Sequence, residues 1–356
     1  MGERKDINME LGDALSAIDG QASHVEELGA PCTARVIRSL SALMKGQTRS
    51  GARIRDWPGF LLVDAVPLRI AGGLHYLHLS GIDDRLGPIY SGEVTRQEDV
   101  DAIVCCVVAQ HDRLLEGWFD SPPQTNEAGR SACIMAGLMW VSGFLGPQFE
   151  LNEIGASAGI NLMMGRFGFD LGGVRAGVGG SPMRIAPRWQ GTTPPGNAVD
   201  IISACGCDLE PIDLNDPEQA LRLKSYVWPD VPKRIARIDT AIAMAREFAP
   251  MVVESDALDW VVGRLAQPRE EGVCRALSHS IVWQYLPHRT QEGIEQAMQA
   301  AGEEATEERP LAWVRFETSR DTFRHEIAAR YWPGGEEWTL LGHAHAHGEW
   351  LEWLVK

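Results

Sequence analysis

The sequence lacks three patterns that would each define a class of protein. Its seven cysteines are an odd number without a pair at CxxC spacing, which argues against a disulfide framework and a structural zinc site. No apolar run approaches the roughly 20 residues that a membrane-spanning helix needs. The net charge is −16, and no run of Lys or Arg suggests a local basic patch. Binding to the phosphates of nucleic acid needs such a cationic face. We therefore expect no nucleic-acid partner, no membrane insertion and no bound metal.

The composition is typical of a globular protein in a reducing cytoplasm. Hydrophobic residues make up 44% and charged residues 23% of the 356 positions, enough for one large domain or two ordinary ones. The first six residues, Met1 to Asp6, are polar and lack the apolar core of a signal peptide. These features predict a cytoplasmic protein with a small-molecule substrate.

A glycine-rich stretch from Phe149 to Asn161 is the strongest local signal. It reads as a strand ending near Ile154, a small-residue turn from Gly155 to Gly159, and a helix starting at Ile160. Glycine permits positive φ and close approach of a ligand, and free N–H groups at a helix start attract an anion or the polar end of a cofactor.

Three interpretations of this stretch compete. The first is a cofactor loop that includes Glu153, Gly155, Ser157 and Gly159. The second is a nucleophile elbow of the form G-x-S-x-G, with Ser157 as the nucleophile. The third is a plain tight turn.

The surrounding pattern predicts an α/β protein. Residues 1–146 read as a mainly helical region, in which glycines and prolines break Arg53 to Gly81 into short pieces. Residues 147–356 alternate strands with helices, which predicts a mainly parallel sheet with a C-terminal antiparallel hairpin and an insert at about 172–197. The predicted strands are Phe149 to Ile154, Val199 to Asp208, Met251 to Val253, one within Val273 to Leu286, Leu311 to Phe316, and the hairpin Glu326 to Trp332 with Glu336 to Gly342.

Acidic residues after successive strands fit the needs of an adenosine cofactor. Asp208 can accept hydrogen bonds from both ribose hydroxyls, and Asp170 is the alternative candidate for this role. Asp256, followed by Ala257, can accept a hydrogen bond from the adenine amino group. Each acid alone is more typical of a helix cap than of a ligand site. Their order along the strands favours a cofactor site.

These segments resemble the motifs of class I S-adenosylmethionine-dependent methyltransferases. The run from Glu153 to Gly159 is similar to their first motif, Gly206 to Pro211 to their ribose motif, and Glu254 to Ala257 to their adenine motif. The resemblance implies a Rossmann-like methyltransferase-type sheet and S-adenosylmethionine as the cofactor. The residues that would hold it are Glu153, Gly155, Ser157, Gly159, Asn161, Asp208, Asp256 and Ala257.

A second resemblance covers nearly the whole chain. It rests on the segments Gln124 to Arg130, Glu153 to Asn161, Gly206 to Asp213, Tyr226 to Asp230, His279 to Tyr285 and His345 to Gly348. With these segments the chain resembles a bacterial family of uncharacterised proteins known as domain of unknown function 2332. That family has no established activity, so the resemblance implies relationship alone.

His279 is the main candidate for a general base, because it lies on a predicted strand between two serines and histidine is the side chain most often used for this role. The alternative is a core histidine bonded to backbone. Tyr285 is a second catalytic candidate. Tyr285 and Trp283 can face a cationic sulfonium, or pack in the core.

Further polar residues are candidates for substrate binding. Arg130 lies in the first turn of a predicted helix, where the helix dipole disfavours a cation, so it faces a ligand or forms a surface salt bridge. Gln124 and Asn126 precede it in a loop. His343, His345 and His347 share one face of an extended chain, and we expect His345 and His347 at a pocket rim rather than on a metal.

The sequence therefore predicts an S-adenosylmethionine-dependent methyltransferase that acts on a small molecule. One alternative is a serine hydrolase that uses Ser157 with Asp256 and either His279 or His347. Another is a non-catalytic ligand-binding protein with the same fold.

Overall fold

The computed structural model describes residues 14–58 and 64–355, so the polar segment Met1 to Asp6 lies outside the described residues. The chain divides into two compact units. Unit 1 comprises Met1–Thr125 and Asp216–Asp239, and unit 2 comprises Asn126–Asn215 and Thr240–Lys356. Because the chain returns to unit 1 after residue 215, this unit is built from two separate segments.

Unit 1 is helical, as predicted for this part of the chain. Its core is a set of aliphatic and aromatic side chains that are almost fully buried, among them Ile37, Leu40, Leu74 and Val104. The described helices are α1 (Ala14–Glu27), α2 (Pro31–Leu43), α3 (Arg49–Arg55), α4 (Val66–Leu79), α5 (Gly87–Tyr90), α6 (Gln97–Glu116) and α8 (Pro217–Ser225). Helix α9 (Pro232–Ala245) begins in unit 1 and ends in unit 2.

Helix α4 corrects the prediction that Arg53 to Gly81 consists of short broken pieces. The helix runs unbroken through Gly72 and Gly73. A Cβ at Gly72 would lie 2.6 Å from the Tyr226 ring, and one at Gly73 would lie 2.9 Å from the Trp118 ring. Both distances are shorter than van der Waals contact, so the glycines serve close aromatic packing rather than helix termination.

The segment Tyr226 to Asp230 provides the cap for the start of α2. The Asp230 carboxylate accepts hydrogen bonds from the backbone N–H of Cys32 at 2.6 Å and of Thr33 at 3.3 Å, and from the Thr33 hydroxyl at 2.7 Å. Ala30, at the N-cap position, has no side-chain oxygen to offer. Asp230 therefore caps this helix from a distant part of the sequence.

Unit 2 contains a mixed, mostly parallel sheet of nine strands. In spatial order they are β5 (Arg188–Gly191), β12 (Trp350–Trp353), β11 (Gly335–Ala344), β10 (His325–Trp332), β9 (Leu311–Thr318), β8 (Cys274–Ser280), β1 (Gln148–Ile154), β6 (Asp200–Asp208) and β7 (Val252–Glu254). The five strands from β7 to β9 run parallel. The predicted antiparallel hairpin is present as β10 and β11.

The middle strand β1 is unusually polar for its position. Glu150 forms ion pairs with Arg275, at 3.0 Å, and with Arg264. Arg264 also donates to the Asn152 side chain at 2.8 Å. A strand with these residues can lie inside a sheet because its polar groups are paired.

Helices cover the sheet, and one of them is strongly apolar. Helix α7 (Ser131–Leu145) contacts β9 and β10, while α10 (Ala257–Leu265) packs against α11 (His288–Glu303). Among the described residues, Ala128–Leu145 is long and apolar enough to cross a membrane, but 72% of this segment is buried inside the fold. That burial is typical of a core helix. Because α7 belongs to unit 2, the compact units divide one helix earlier than the predicted boundary at residue 146.

The insert predicted at about 172–197 forms a small second sheet together with the residues just before it, which begin at Gly168. Strands β2 (Gly168–Leu171), β3 (Val174–Gly177) and β4 (Arg184–Ile185) pair in the order β3-β2-β4. The chain then leaves this small sheet and adds β5 to the edge of the large one, parallel to β12. The insert therefore also supplies one edge of the main sheet.

Candidate functional site at the ends of the parallel strands

The glycine-rich turn follows β1 and is held in a left-handed backbone conformation. Gly155, Ser157 and Gly159 have φ values of 64°, 52° and 68°. A Cβ on Gly155 would overlap the Val282 side chain, and one on Gly159 would lie 2.6 Å from Pro250. Both glycines are therefore required by the backbone and by packing. Ser157 is the exception, since a non-glycine residue at positive φ is strained.

The backbone amides of the turn are already bonded within the protein, which makes the expectation of free N–H groups wrong for four of them. The reason is that two distant side chains, one carbonyl of the neighbouring strand β6 and one carbonyl of the turn itself accept these hydrogen bonds. Ala156 donates to the Cys207 carbonyl at 3.0 Å, Ser157 to Asp208 Oδ2 at 2.8 Å, Gly159 to the Ala156 carbonyl at 2.7 Å, and Ile160 to Asn126 Oδ1 at 2.7 Å.

The predicted helix at Ile160 is also different. The structure has a short 3-10 helix over Asn161–Arg166, after which the chain enters β2. A six-residue 3-10 helix has few aligned peptide dipoles, so it supplies little of the field that attracts an anion to a long helix.

Side chains rather than amides form the polar surface at this turn. Glu153, Ser157 and Asn161, which we call the loop cluster, are all buried, with Glu153 3% and Asn161 1% exposed. Within the described part of the chain, Glu153 Oε2, Ser157 Oγ and both amide atoms of Asn161 have no hydrogen bond of normal geometry, although the Asn161 side chain lies close enough to the Glu153 carboxyl to lower its pKa. Buried polar atoms in native proteins are nearly always bonded, so the loop cluster has the character of a binding site.

The carboxyl group of Glu153 has a strongly altered pKa. Burial is the main cause and raises the pKa to about 8, and the charge of Asp208 raises it further. The Asn161 side chain and the positive charge of Arg130 oppose this rise. At neutral pH the carboxyl group is therefore largely protonated and can donate a hydrogen bond as well as accept one.

Arg130 is buried near the loop cluster, which corrects the alternative that it forms a surface salt bridge. Its Nε donates to the Ala346 carbonyl at 2.9 Å and its Nη1 to the Ser280 carbonyl at 3.5 Å. The bond to Ala346 places the segment His345 to His347 beside Arg130.

His345 and His347 contact each other in this segment. Their rings are 5.3 Å apart and nearly perpendicular, and His345 Nδ1 accepts from the backbone N–H of His347 at 3.2 Å. Across residues 14–58 and 64–355, no group of three or more His, Cys, Asp or Glu side chains is arranged to hold a metal. Their proximity to Arg130 makes them candidates for contact with a substrate.

The two predicted cofactor acids lie at the ends of neighbouring strands. Asp208 ends β6 and binds the turn through Ser157, while its Oδ1 accepts from Glu210 N–H at 3.0 Å. Asp256 follows β7, is exposed, and caps α10 by accepting from the N–H of Leu258 at 2.8 Å. Ala257 is the buried first residue of that helix. Asp208 thus reaches the glycine turn, and Asp256 lies one strand further away.

His279 has a carboxylate partner that the sequence did not reveal. Its Nδ1 lies 2.7 Å from Glu317 Oε1, which also accepts from the backbone N–H of Val282 at 3.1 Å. The Trp283 ring stacks on the imidazole with centroids 5.0 Å apart. Glu317 lies near the end of β9, next to β8, so the rule that selected Asp208 and Asp256 would also have found it.

Tyr285 and Gln124 are the remaining candidates. Tyr285 is 57% exposed in a 3-10 helix over Trp283–Tyr285. Gln124 belongs to unit 1, whereas Asn126 and Arg130 belong to unit 2.

The loop cluster and the pair of His279 with Glu317 lie on opposite faces of the sheet. Glu153 is in register with Ser278, and Ser278 with Val314, on the face that α7 covers. Side chains alternate along a strand, so His279 and Glu317 point to the face of α10 and α11. Both groups lie near the carboxyl ends of β1, β8 and β9.

Comparison with protein families identifies the relationship. A family model described as "Uncharacterized protein conserved in bacteria (DUF2332)" matches residues 16–353. The chain belongs to this family. No curated protein and no solved structure matches the chain.

Proposed function

We propose that this member of the family is an S-adenosylmethionine-dependent methyltransferase for a small molecule, built on a Rossmann-like sheet. One observation carries the proposal: the Asp208 carboxylate, at the end of β6, binds the Ser157 amide in the glycine turn after β1. The parallel strands lie in the order β7-β6-β1-β8-β9, so chain order reverses beside β1. Ligands of open α/β sheets bind at such a point, outside the carboxyl ends of the strands.

The residues around the turn fit the polar groups of this cofactor. Glu153, Ser157 and Asn161 offer buried donors and acceptors that form no hydrogen bond of normal geometry among the described residues. Asp208 and Asp256 would meet the ribose and the adenine, as in the resemblance. Because several turn amides are bonded internally, recognition of the methionine end falls to the loop cluster. When bound, the cofactor supplies an electrophilic methyl group.

Ligand binding to purified full-length protein tests the proposal. We expect S-adenosylmethionine and its demethylated product to raise the melting temperature and to give a saturable calorimetric signal. Asp208→Asn keeps an acceptor for the Ser157 amide but removes the charge, so we expect roughly tenfold weaker binding, equal to about 1.4 kcal/mol.

Asp170→Asn is the matched control, since Asp170 also accepts a backbone N–H, that of Gly173 at 2.9 Å, but lies in the small sheet. It should bind as the wild type does. No melting shift and no heat at millimolar ligand would refute the cofactor assignment. Substitution of Gly155 is unsuitable here, because any side chain would overlap Val282.

A serine hydrolase is the second candidate, and one observation favours it. Ser157 has φ of 52° between two tightly packed glycines, which is the strained backbone of a nucleophile elbow. Against it, Ser157 Oγ has no hydrogen-bond partner among the described residues, histidines included. Fluorophosphonate labelling with Ser157→Ala as the control decides: a labelled wild type and an unlabelled variant support a hydrolase, and an unlabelled wild type eliminates it.

A further inference from the structure

The pair of His279 and Glu317 has the features of a built proton-accepting site. His279 is fully buried, and Glu317 is buried beside it. Glu317 Oε1 accepts both from His279 Nδ1 and from the Val282 amide. A carboxylate accepts only, so the proton of a neutral imidazole lies on Nδ1 and Nε2 carries a lone pair.

Three polar atoms of this region remain without a partner in the described part of the chain. They are His279 Nε2, Glu317 Oε2 and the indole Nε1 of Trp313, whose ring centroid is 5.8 Å from that of His279. A histidine that only stabilises the fold would have both ring nitrogens bonded or exposed. Here Nδ1 is fixed by a charged acceptor, and Nε2 is left to accept.

The backbone beside the pair is strained. Ile281 follows His279 by two residues and has φ of 52°, an outlier for a β-branched residue. Its own N–H is bonded to the Phe316 carbonyl at 2.9 Å. This turn directs the Val282 amide to Glu317 and brings Trp283 over the imidazole. Strain that persists in a fold is concentrated at functional sites, because surrounding contacts must maintain it.

Only a thin layer separates the pair from solvent. The 3-10 helix Trp283–Tyr285 contains no buried residue. It is held by Gln291, whose side-chain amide donates to the carbonyls of Trp283 at 2.9 Å and Leu286 at 2.8 Å. His279 itself is fully buried, so a small molecule must displace the half-buried Trp283 ring to reach it.

We propose, resting on the function proposed above, that His279 Nε2 accepts the proton of a hydroxyl compound that is the methyl acceptor, and that Glu317 is the positioning residue for His279. The hydroxyl O–H bond breaks and its proton goes to Nε2. The oxygen forms a bond to the methyl carbon as the carbon–sulfur bond breaks, and that electron pair stays on sulfur. The Glu317 carboxylate then faces an imidazolium, which it stabilises.

The acceptor class follows from the need for a base. A neutral amine has its own lone pair and releases its proton after attack, whereas a neutral hydroxyl is a poor nucleophile until the proton is removed. A histidine held by a buried carboxylate is therefore suited to a hydroxyl compound.

Carbethoxylation of the full-length protein by diethyl pyrocarbonate, mapped by mass spectrometry, tests the site without a known acceptor. The reagent attacks an unprotonated imidazole nitrogen that small molecules can reach. His75 is the matched control, because it is equally buried but bonded to the Ser225 carbonyl at 3.0 Å. We expect His279 to react at least roughly tenfold faster than His75. Equal protection of the two histidines would overturn the proposal.

Glu317→Gln tests the positioning role. The substitution keeps the shape but removes the charge and lets an amide N–H face Nδ1, so we expect carbethoxylation of His279 to slow by about tenfold with a melting temperature close to wild type. An unchanged rate would show that Glu317 does not position His279.

If this variant fails to fold, ¹⁵N spectra of histidine-labelled wild type decide, with His279→Asn for assignment. The proposal requires the proton on Nδ1, and a proton on Nε2 of the neutral ring would contradict it.

The two proposals fail in different ways. Cofactor binding together with an unreactive His279 would remove the proton-accepting site and leave the cofactor assignment standing. A reactive His279 in a protein that does not bind S-adenosylmethionine would remove methyl transfer and leave a proton-accepting site for another reaction.

Discussion

The helical unit and the sheet unit each bury a histidine, and the partners of the two histidines differ. His75 in α4 has Nδ1 on a backbone carbonyl, and burial lowers its pKa to about 4. It lies against the Tyr90 ring, whose pKa burial raises. His279 in β8 has a carboxylate instead. The helical unit also contains a histidine beside an acid, since His111 Nε2 lies 2.9 Å from the Asp83 carboxylate. Burial alone therefore does not mark a histidine as catalytic, and the proposal for His279 rests on its carboxylate partner together with its unpartnered Nε2.

The largest expected effect comes from removing the acid of the sheet unit. Glu317→Ala leaves the Nδ1–H of His279 and the Val282 amide without an acceptor, so we expect a loss of about 2 to 4 kcal/mol in the free energy of unfolding. His75→Phe gives up hydrogen bonds to the backbone of Ser225 and Val227 and should cost about 1 to 2 kcal/mol. Hydrogen exchange read by mass spectrometry reports each unit separately. If His75→Phe cost as much free energy of unfolding as Glu317→Ala, or more, the proposed difference between the two histidines would be wrong.

The pH dependence of stability should differ in sign between the units. His75 has a lowered pKa, so the unfolded chain binds more protons and stability rises as pH increases from about 4 to 6.5. Glu153 has a pKa raised to about 8, so the folded chain binds more protons and stability falls as pH increases from about 4.5 to 8. Each trend should amount to a few kcal/mol, since one pKa unit corresponds to about 1.4 kcal/mol.

Local unfolding by hydrogen exchange across this pH range measures both trends, after correction for the pH dependence of intrinsic exchange. Glu153→Gln should flatten the decline in the sheet unit, and His75→Gln the rise in the helical unit. If the stability of the sheet unit still declines with pH in Glu153→Gln, another titratable group is responsible for the decline.

The smallest effects concern two helix caps of different kinds, a distant one in the helical unit and a local one in the sheet unit. Asp230→Ala removes three hydrogen bonds from the start of α2 and should cost about 2 kcal/mol. Asp256→Ala removes only a local cap from α10 and should cost about 1 kcal/mol. Urea-dependent hydrogen exchange in the two helices provides the measurement. A larger loss for Asp256 would mean that the distant cap contributes less than its contacts indicate.

Local patterns predicted much of the sheet unit. Residues 149–154 and 311–316 were predicted as strands, and the strands found are Gln148–Ile154 and Leu311–Thr318. The turn at Pro333 to Gly335 correctly predicted the hairpin. These elements are specified by side-chain alternation and turn residues within a few positions, which a sequence displays directly.

Contacts between distant residues could not be predicted in the same way. The side chains of Asn126 and Asp208 accept hydrogen bonds from amides of the glycine turn, although they lie 34 and 51 residues away in the sequence. Glu317 meets His279 across 38 residues, which requires the parallel pairing of β8 with β9. The glycines of α4 suggested a break in the helix, but Gly72 and Gly73 instead allow the rings of Tyr226 and Trp118 to pack closely against it. In each case tertiary packing determined the outcome.

The division of the helical unit between two stretches of chain has a consequence for biosynthesis. Asp230 and Tyr226 belong to the second stretch, yet they complete the start of α2 and the packing of α4. During translation, Tyr226 and Asp230 leave the ribosome only after strands β1 to β6 have been made. The first six helices therefore cannot complete their packing before that point. Nascent chains arrested shortly after residue 125 should therefore be protease-sensitive, and those arrested well beyond residue 239 should be protected in the helical unit.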